Sequence, residues 1–280
     1  MSGALQGITV VGGIVPPVLL ARIQSGEVRD ASSLASSSYH LPGTETTRDA
    51  ASRAWGYLRG AWEAWRAADA DRRPEVPGTG LARERWLMVL LRELGYGQVP
   101  TTSGAIAIGG DEYPISHRWN HIVMHLLGPG VDLDRRNAGV AGAARAPQAM
   151  LQEYLNREPE HLWAILSNGL QLRLLRDSTS LAGSAYLEFD LETIFDGELY
   201  AEFLLFWQLT QFSRLEKRGG PDAPPADCWL ESWRGEAVDA GTRALDKLRD
   251  GVKAPWPGWP PDSSNTRTTG GSPRPFTTAT

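Results

Sequence analysis

The sequence predicts an α/β fold of the α+β kind, a small mixed sheet flanked by helices with a helical C-terminal extension. Three observations lead there. In HLWAILSNGLQLRLLRD, 161–177, two apolar runs meet at Asn168-Gly169, the strongest short hairpin signal, because both residues accept the positive φ of a type I′ turn. The first run is apolar on both faces, as in a central strand. Upstream and downstream lie stretches with helical apolar period, so helices and strands mix along one chain.

Composition bounds the rest. The chain has 280 residues, 41% hydrophobic and 22% charged, an ordinary balance for a globular protein. A net charge of −5 gives no global pull toward nucleic acid, so any DNA contact needs a local basic patch. The single cysteine, Cys228, rules out an internal disulfide and a cysteine-based zinc site; it fits a reducing cytosol and reads as inert packing. No apolar run reaches membrane-spanning length, so no membrane partner is expected and the location is expected to be cytoplasmic. The run Ile8–Leu20 lacks a basic lead and is broken by Gly12-Gly13 and Pro16-Pro17, unlike a signal peptide.

In chain order, residues 1–47 are a poor helix candidate and read as an N-terminal arm. Ile8–Val11 suits a short strand, and DASSLASSSYHLPGTETT suits a loop packed through Tyr39 and Leu41. An α/β domain is expected over 48–217. Its first helix begins at Thr47, with Thr47 as cap and Ala54, Trp55, Leu58, Trp62 and Trp65 on one face. Such a Trp stripe either packs a core or forms a partner groove, and core packing is the expectation. After a loop over 71–80, a second helix buries Leu81, Trp86, Leu87, Leu90, Leu91 and Leu94, with Thr79 as cap and Gly95 at its end. Three strands follow at Ala105–Ile108, Tyr113–Ser116 and His121–Leu127. A helix from Pro147 to Asn156 buries Met150, Leu151, Tyr154 and Leu155. Then come the hairpin, a loop at Ser178–Ser184, the strand AYLEFDL, and a helix from Leu199 to Leu215 that is apolar nearly all round. A helical linker is expected to start over 218–252, with Leu245 and Leu248 inward. The Pro-rich stretch 253–280 has no apolar period and reads as a disordered tail or a shifted frame after truncation.

Several blocks, in order, resemble a known family: YPISHRWNHIVMHLLGPGVDLDRR, LQEYLN, LWAILSNGLQLRLLRD, YLEFDLETIFDGELYAEFLLFW and CWLESW…GTRAL. Over residues 5–252 the chain resembles the N-terminal, nuclease-like region of the type IIG restriction–modification DNA methylases, adenine-specific enzymes with relatives in phage defence. The resemblance implies a restriction-endonuclease-like core, α-β-β-β-α-β. It also implies Mg²⁺ held by an acid on the second strand and an acid-x-Lys on the third, and S-adenosylmethionine in a following methyltransferase domain. Here His125 and Leu127 stand where the acid and the lysine belong. Asp111 and Glu112, at the start of the second strand, are the remaining acids, so Asp111, Glu112 and His125 mark the catalytic positions in degenerate form. No Asn/Asp-Pro-Pro-Tyr/Phe motif and no Gly-rich cofactor loop occurs, so no cofactor is expected for this chain itself.

Other constellations carry two readings each. His117, His121 and His125 recur every four residues, a zinc set or, as expected, packed remnants. Arg135, Arg136, Arg173 and Arg176 are candidate DNA contacts, with Asp132, Asp134 and Asp177 close enough in sequence to pair with them. Gln152 and Tyr154 border the expected site or simply pack, and Ser167 is a turn residue. The leading expectation is a fragment of a restriction–modification methylase that engages double-stranded DNA, or scaffolds other defence-system proteins, without catalysis of its own. The alternatives are an active metal-dependent endonuclease and a non-enzymatic interaction module built on the Trp-rich helices.

Overall fold

Mixed α/β architecture organises the protein, seen in a computed structural model that describes residues 5–73, 75–177 and 185–253. The loop expected at Ser178–Ser184 and the tail expected beyond Lys253 lie outside them. Residues 1–239 form one compact unit, and a second begins at Ala240.

The first unit is built on a six-stranded sheet. In chain order its strands are β1 (Ile8–Val11), β4 (His117–Trp119), β5 (Ile122–Leu126), β6 (Trp163–Ser167), β7 (Gln171–Arg176) and β8 (Tyr186–Asp190). Their spatial order is β1-β8-β7-β6-β5-β4. The β5–β6 pair is parallel, and the others are antiparallel. Helix α5 (Pro147–Arg157) supplies the crossover that a parallel pair requires. A separate two-stranded sheet pairs β2 (Ile106–Ile108) with β3 (Asp111–Tyr113). Of the three strands expected before α5, only the last therefore joins the main sheet as foreseen. The short β4 was not foreseen; three residues are too few to show a period.

Strand β6 divides two cores by its pleat, since successive side chains point to opposite faces. Trp163 and Ile165 enter a large core with the helices α2 (Thr47–Ala70), α6 (Leu191–Asp196) and α7 (Tyr200–Thr210). The same core holds α3 (Thr79–Ala82) and α4 (Met88–Glu93), joined by a π-helical turn, Arg83–Leu87. Ala164 and Leu166 enter a smaller core with Met150, Leu151 and Tyr154 of α5 and with Tyr113. The Trp face of α2 is core, as expected: Trp62 and Trp65 are buried, edge-on at 5.2 Å. The cap is Thr46, whose hydroxyl accepts from the amide of Asp49 at 3.1 Å, one residue earlier than the sequence suggested.

Within the expected N-terminal arm the strand foreseen at Ile8–Val11 forms and Tyr39 is buried, while a helix that was not foreseen follows the strand. β1 pairs with β8, and α1 (Pro17–Ser25) buries Leu19, Leu20 and Ile23. Pro17, read as a breaker, sits in the first turn, where the missing N–H costs nothing, and Gly26 closes the helix at φ 76°. Glu202, buried on α7, accepts from the amides of Gln6 at 2.9 Å and Gly7 at 2.7 Å and so fastens the start of β1. The helix expected over 199–215 ends at Thr210, because Gln211 is extended (ψ 138°), and Phe212–Arg214 continues as a 3₁₀ turn.

Helix α8 (Trp229–Lys253) runs from the first unit into the second. Leu245 and Leu248, expected inward, are 68% and 67% exposed. None of the helices among the described residues is long and apolar enough to cross a membrane.

The hairpin turn differs from expectation in type. Ser167 pairs with Leu172, so the two-residue link is Gly169-Leu170. Gly169 has φ 91° while Asn168 and Leu170 have no positive φ, the II′ rather than the I′ arrangement. Asn168 instead uses its side chain: Oδ1 accepts from the amides of Leu170 and Gln171 (3.1 and 2.8 Å), and Nδ2 donates to Val131 O at 2.9 Å. A Cβ on Gly169 would stand 3.1 Å from Trp65. Gly169→Ala is expected to lower stability by about 1–3 kcal/mol. Gly60→Ala, on an exposed and open stretch of α2, raises it by about 0.5–1 kcal/mol. Urea denaturation midpoints of the two variants check both signs.

Candidate functional site

β5 is buried at every residue. Register carries one row across the sheet on the α5 side: His125 beside Leu166, Leu166 beside Arg173, and Arg173 beside Glu188. Two residues singled out in the sequence, His125 and Arg173, thus share a face with one leucine between them. The loop after β5 covers the row. Gly142 O accepts from His125 Nε2 at 2.9 Å, which fixes the proton on Nε2 and leaves buried Nδ1 without a partner. Burial pushes the imidazole down to about 4, the Gly142 bond opposes the shift, and the charge of Arg83 adds to it. His125 is a neutral packed ring, 1% exposed, and Leu127 beside it is 0% exposed.

Arg173 is a structural cation rather than a DNA contact. It is 3% exposed. Its guanidinium donates to both carboxylate oxygens of Asp134 (2.6 and 2.8 Å), to Glu188 at 2.5 Å and to Gln148 at 3.3 Å, and it lies 4.3 Å over the Tyr186 ring. A period-two strand covered on both faces has no open side for it. Arg176 is likewise taken: it donates to both oxygens of Glu231 (2.9 and 2.8 Å) and to Asp177 O. Sequence separation hid these partners. Glu188 and Glu231 come from distant segments, whereas the Asp134 pairing was among the alternatives.

The two remaining arginines are open. Arg135 is exposed, with Asp132 at 3.6 Å, and Arg136 is exposed. With Arg145 they border a shallow depression of about 700 Å³. Arg145 itself is paired with Glu153. Asn137 holds the loop, its Nδ2 donating to Asp132 O and Arg135 O at 2.8 Å.

Asp111 and Glu112 do not join His125. They lie on β3, in the other sheet, and adjacent strand residues face opposite ways. Both are exposed, and Asp111 is ion-paired with Arg157. The histidine row also separates. His117 pairs with Met124, on the face opposite His125; its Nδ1 bonds Ser116 Oγ at 2.8 Å, and His121 Nε2 donates to Leu215 O at 2.9 Å. Among the described residues no group of three or more His, Cys, Asp or Glu is placed to hold a metal. Gln152 packs, donating to Arg176 O at 2.9 Å, and Tyr154 OH bonds His161 Nδ1 at 2.5 Å. Ser167 Oγ donates to Gln171 O at 2.6 Å, a turn role. Cys228 is buried, which pushes its thiol up to about 11.

Comparison with protein-family models, curated proteins and solved structures finds no match.

Two measurements check this electrostatic picture. Arg173→Met leaves two carboxylates without their cation and is expected to cost about 3 kcal/mol at neutral pH. Arg173 holds the Asp134 carboxyl below its ordinary value of 3.8. The stability from that pair is therefore present above pH 3.8 and lost as pH falls further, so wild type and variant converge in acid denaturation curves. The second concerns His117, His125 and His161, each lowered from 6.5 to about 4, chiefly by burial. The unfolded chain protonates them first, so stability falls as pH drops from about 6.5 to about 4. His125→Leu is expected to flatten that decline in midpoint-against-pH plots.

Proposed function

We propose that the chain is the nuclease-like domain of a restriction–modification DNA methylase lineage, kept to engage double-stranded DNA or to scaffold other defence-system proteins, without strand cleavage of its own. One observation carries the reading. The β5–α5–β6 frame is present, while the β5 positions where the resembled family places its acid and lysine hold His125 and Leu127, sealed at 1% and 0% exposure. Mg²⁺ needs several hard oxygen ligands and keeps waters of its own. A neutral imidazole and a leucine in a closed core do not fit that ion. Asp111 and Glu112, in the other sheet, do not complete a set with them. The DNA-facing surface on this reading is the loop bearing Arg135 and Arg136, since Arg173 and Arg176 are held by carboxylates.

The expected outcome with supercoiled plasmid and Mg²⁺ or Mn²⁺ is unchanged topology; nicking that vanishes in Asp111→Ala or Glu112→Ala would overturn the non-cleaving part. Duplex binding is expected to weaken with salt, and Arg135→Ala with Arg136→Ala to reduce the log–log salt slope by about 2, near one per lost phosphate contact. Fluorescence anisotropy against ionic strength reads both.

A further inference from the structure

A cavity of about 570 Å³ opens where β4 turns into β5 and shares no lining residue with the depression at the Arg135–Arg136 loop. Trp119 pairs with Ile122, so Asn120 and His121 make the turn, and Asn120 takes the left-handed region at φ 49°. A non-glycine residue held there costs about 1 kcal/mol and persists only where its surroundings fix it. Arg118 fixes it: Nε donates to Asn120 O at 2.7 Å. Arg118 is exposed and lines the cavity.

Four basic side chains line this space: Arg118, His121, His161 and Lys217. His121 donates to Leu215 O and His161 is held by Tyr154 OH, so both rings are fixed in place. Lys217 Nζ donates to Pro221 O at 3.2 Å, with protons to spare. Among the described residues, neither Arg118 nor Lys217 has a carboxylate within ion-pair distance, although most other cations near the sheet do. Two carboxylates, Glu160 and Glu216, also border the cavity; Glu160 is exposed, and Glu216 is bonded by His40. Arg118, His121 and Lys217 all oppose protonation of His161, after burial itself. A second cavity of about 480 Å³ shares Arg118 and Asn120 and continues past Thr101, Thr102 and Ser103, in the segment that bridges β4 at His117.

We propose that this cleft is a phosphate-binding site, in which Arg118 and Lys217 clamp the anion and His161, its Nδ1 accepting from Tyr154 OH, offers its Nε2–H as a further donor beside His121. Unpaired cations in a concave surface attract an anion more strongly than on a convex one, and N–H donors to phosphate are charge-assisted. The ligand is a phosphate-bearing one, either a free phosphate or nucleotide, or one phosphate of a nucleic-acid strand running on toward Thr101. The proposal stands independently of the Arg135–Arg136 surface.

The test is histidine-ring NMR of the full chain, titrated with inorganic phosphate and, separately, with a short single-stranded oligothymidylate. Phosphate is expected to shift the ring signals of His121 and His161 and to raise their pKa values by about one unit, because an anion favours the imidazolium. His125, sealed on the other side of β5, serves as the unmoved control. Arg118→Ala with Lys217→Ala is expected to weaken binding about tenfold or more; Lys217→Ala alone, which leaves the Asn120 turn and its Arg118 tether in place, is expected to weaken binding with an unchanged melting curve. Arg135→Ala with Arg136→Ala leaves it intact. Tighter binding of the oligonucleotide than of phosphate identifies a strand backbone as the ligand; phosphate binding alone identifies a small anion. Ring signals of His121 and His161 unmoved by either probe at millimolar concentration, or shifts that survive in the Arg118/Lys217 double variant, overturn the proposal.

Discussion

Strand β6 has no exposed side. Five successive residues, Trp163 to Ser167, are buried, and its parallel neighbour β5 is buried throughout as well. Two adjacent strands with no wet face require a layer of structure on each side. The helices α2, α6 and α7 supply one layer; α5 and the loop after β5 supply the other. Parallel pairing also demands a long connection, and α5 is both that connection and part of the covering layer. Burial of this pair thus dictates the order of elements, the number of layers and the closure of the loop over His125.

The helical layer is tied to the sheet by aromatic side chains with polar handles. Trp86 Nε1 donates to Gly169 O at 2.8 Å, linking the π-helical turn to the hairpin, and Trp62 Nε1 donates to Asp196 Oδ1 at 2.7 Å. Trp65, Trp163 and Trp207 bury an N–H with no partner, a cost that their large apolar area offsets. Arg214, with no exposure, performs the corresponding task for the N-terminal segment. It lies 3.7 Å over Tyr39, donates to Ser33 O at 2.6 Å and to Ser38 O, and sits 5.2 Å from the Trp233 ring. Burial lowers its pKa to about 10, so it keeps its charge at neutral pH while joining residues 33–39 to α7 and to the first turns of α8.

Local chemistry was readable in the sequence, and long-range pairing was not. The hairpin, the Trp face of α2, the start of α5 at Pro147 and the all-round apolar α7 follow from periods and caps contained within each segment. β1 was readable as a short strand, but its place in the sheet was not, because its partner β8 lies nearly the whole domain away. α1 was missed because Pro16-Pro17 reads as a break, whereas Pro17 stands in the first turn, where a helix tolerates it. Leu245 and Leu248 had the spacing of a buried face, yet spacing alone does not supply a surface to cover it. At the candidate site the residue types were legible but their roles were not. An arginine on a strand looks the same in sequence whether it faces solvent or, like Arg173, two carboxylates.

Pleat and covering also explain why the row on β5–β8 suits architecture rather than metal chemistry. Leu127 and His125 can be sealed because one is apolar and the other stays neutral, its single N–H satisfied by Gly142 O. A carboxylate and a lysine at those positions would each carry a desolvation cost of several kcal/mol unless the covering loop opened to water or an ion. The charges that the row does bury, Arg173 and Glu188, balance one another, with Asp134 completing the guanidinium's contacts from the loop. A closed loop and an open metal site are therefore mutually exclusive uses of the same face. With that face sealed, Arg136 on the loop and Arg118 and Lys217 in the cleft are cations without a carboxylate partner that border open depressions, and the phosphate contacts proposed above rest on those depressions rather than on the row.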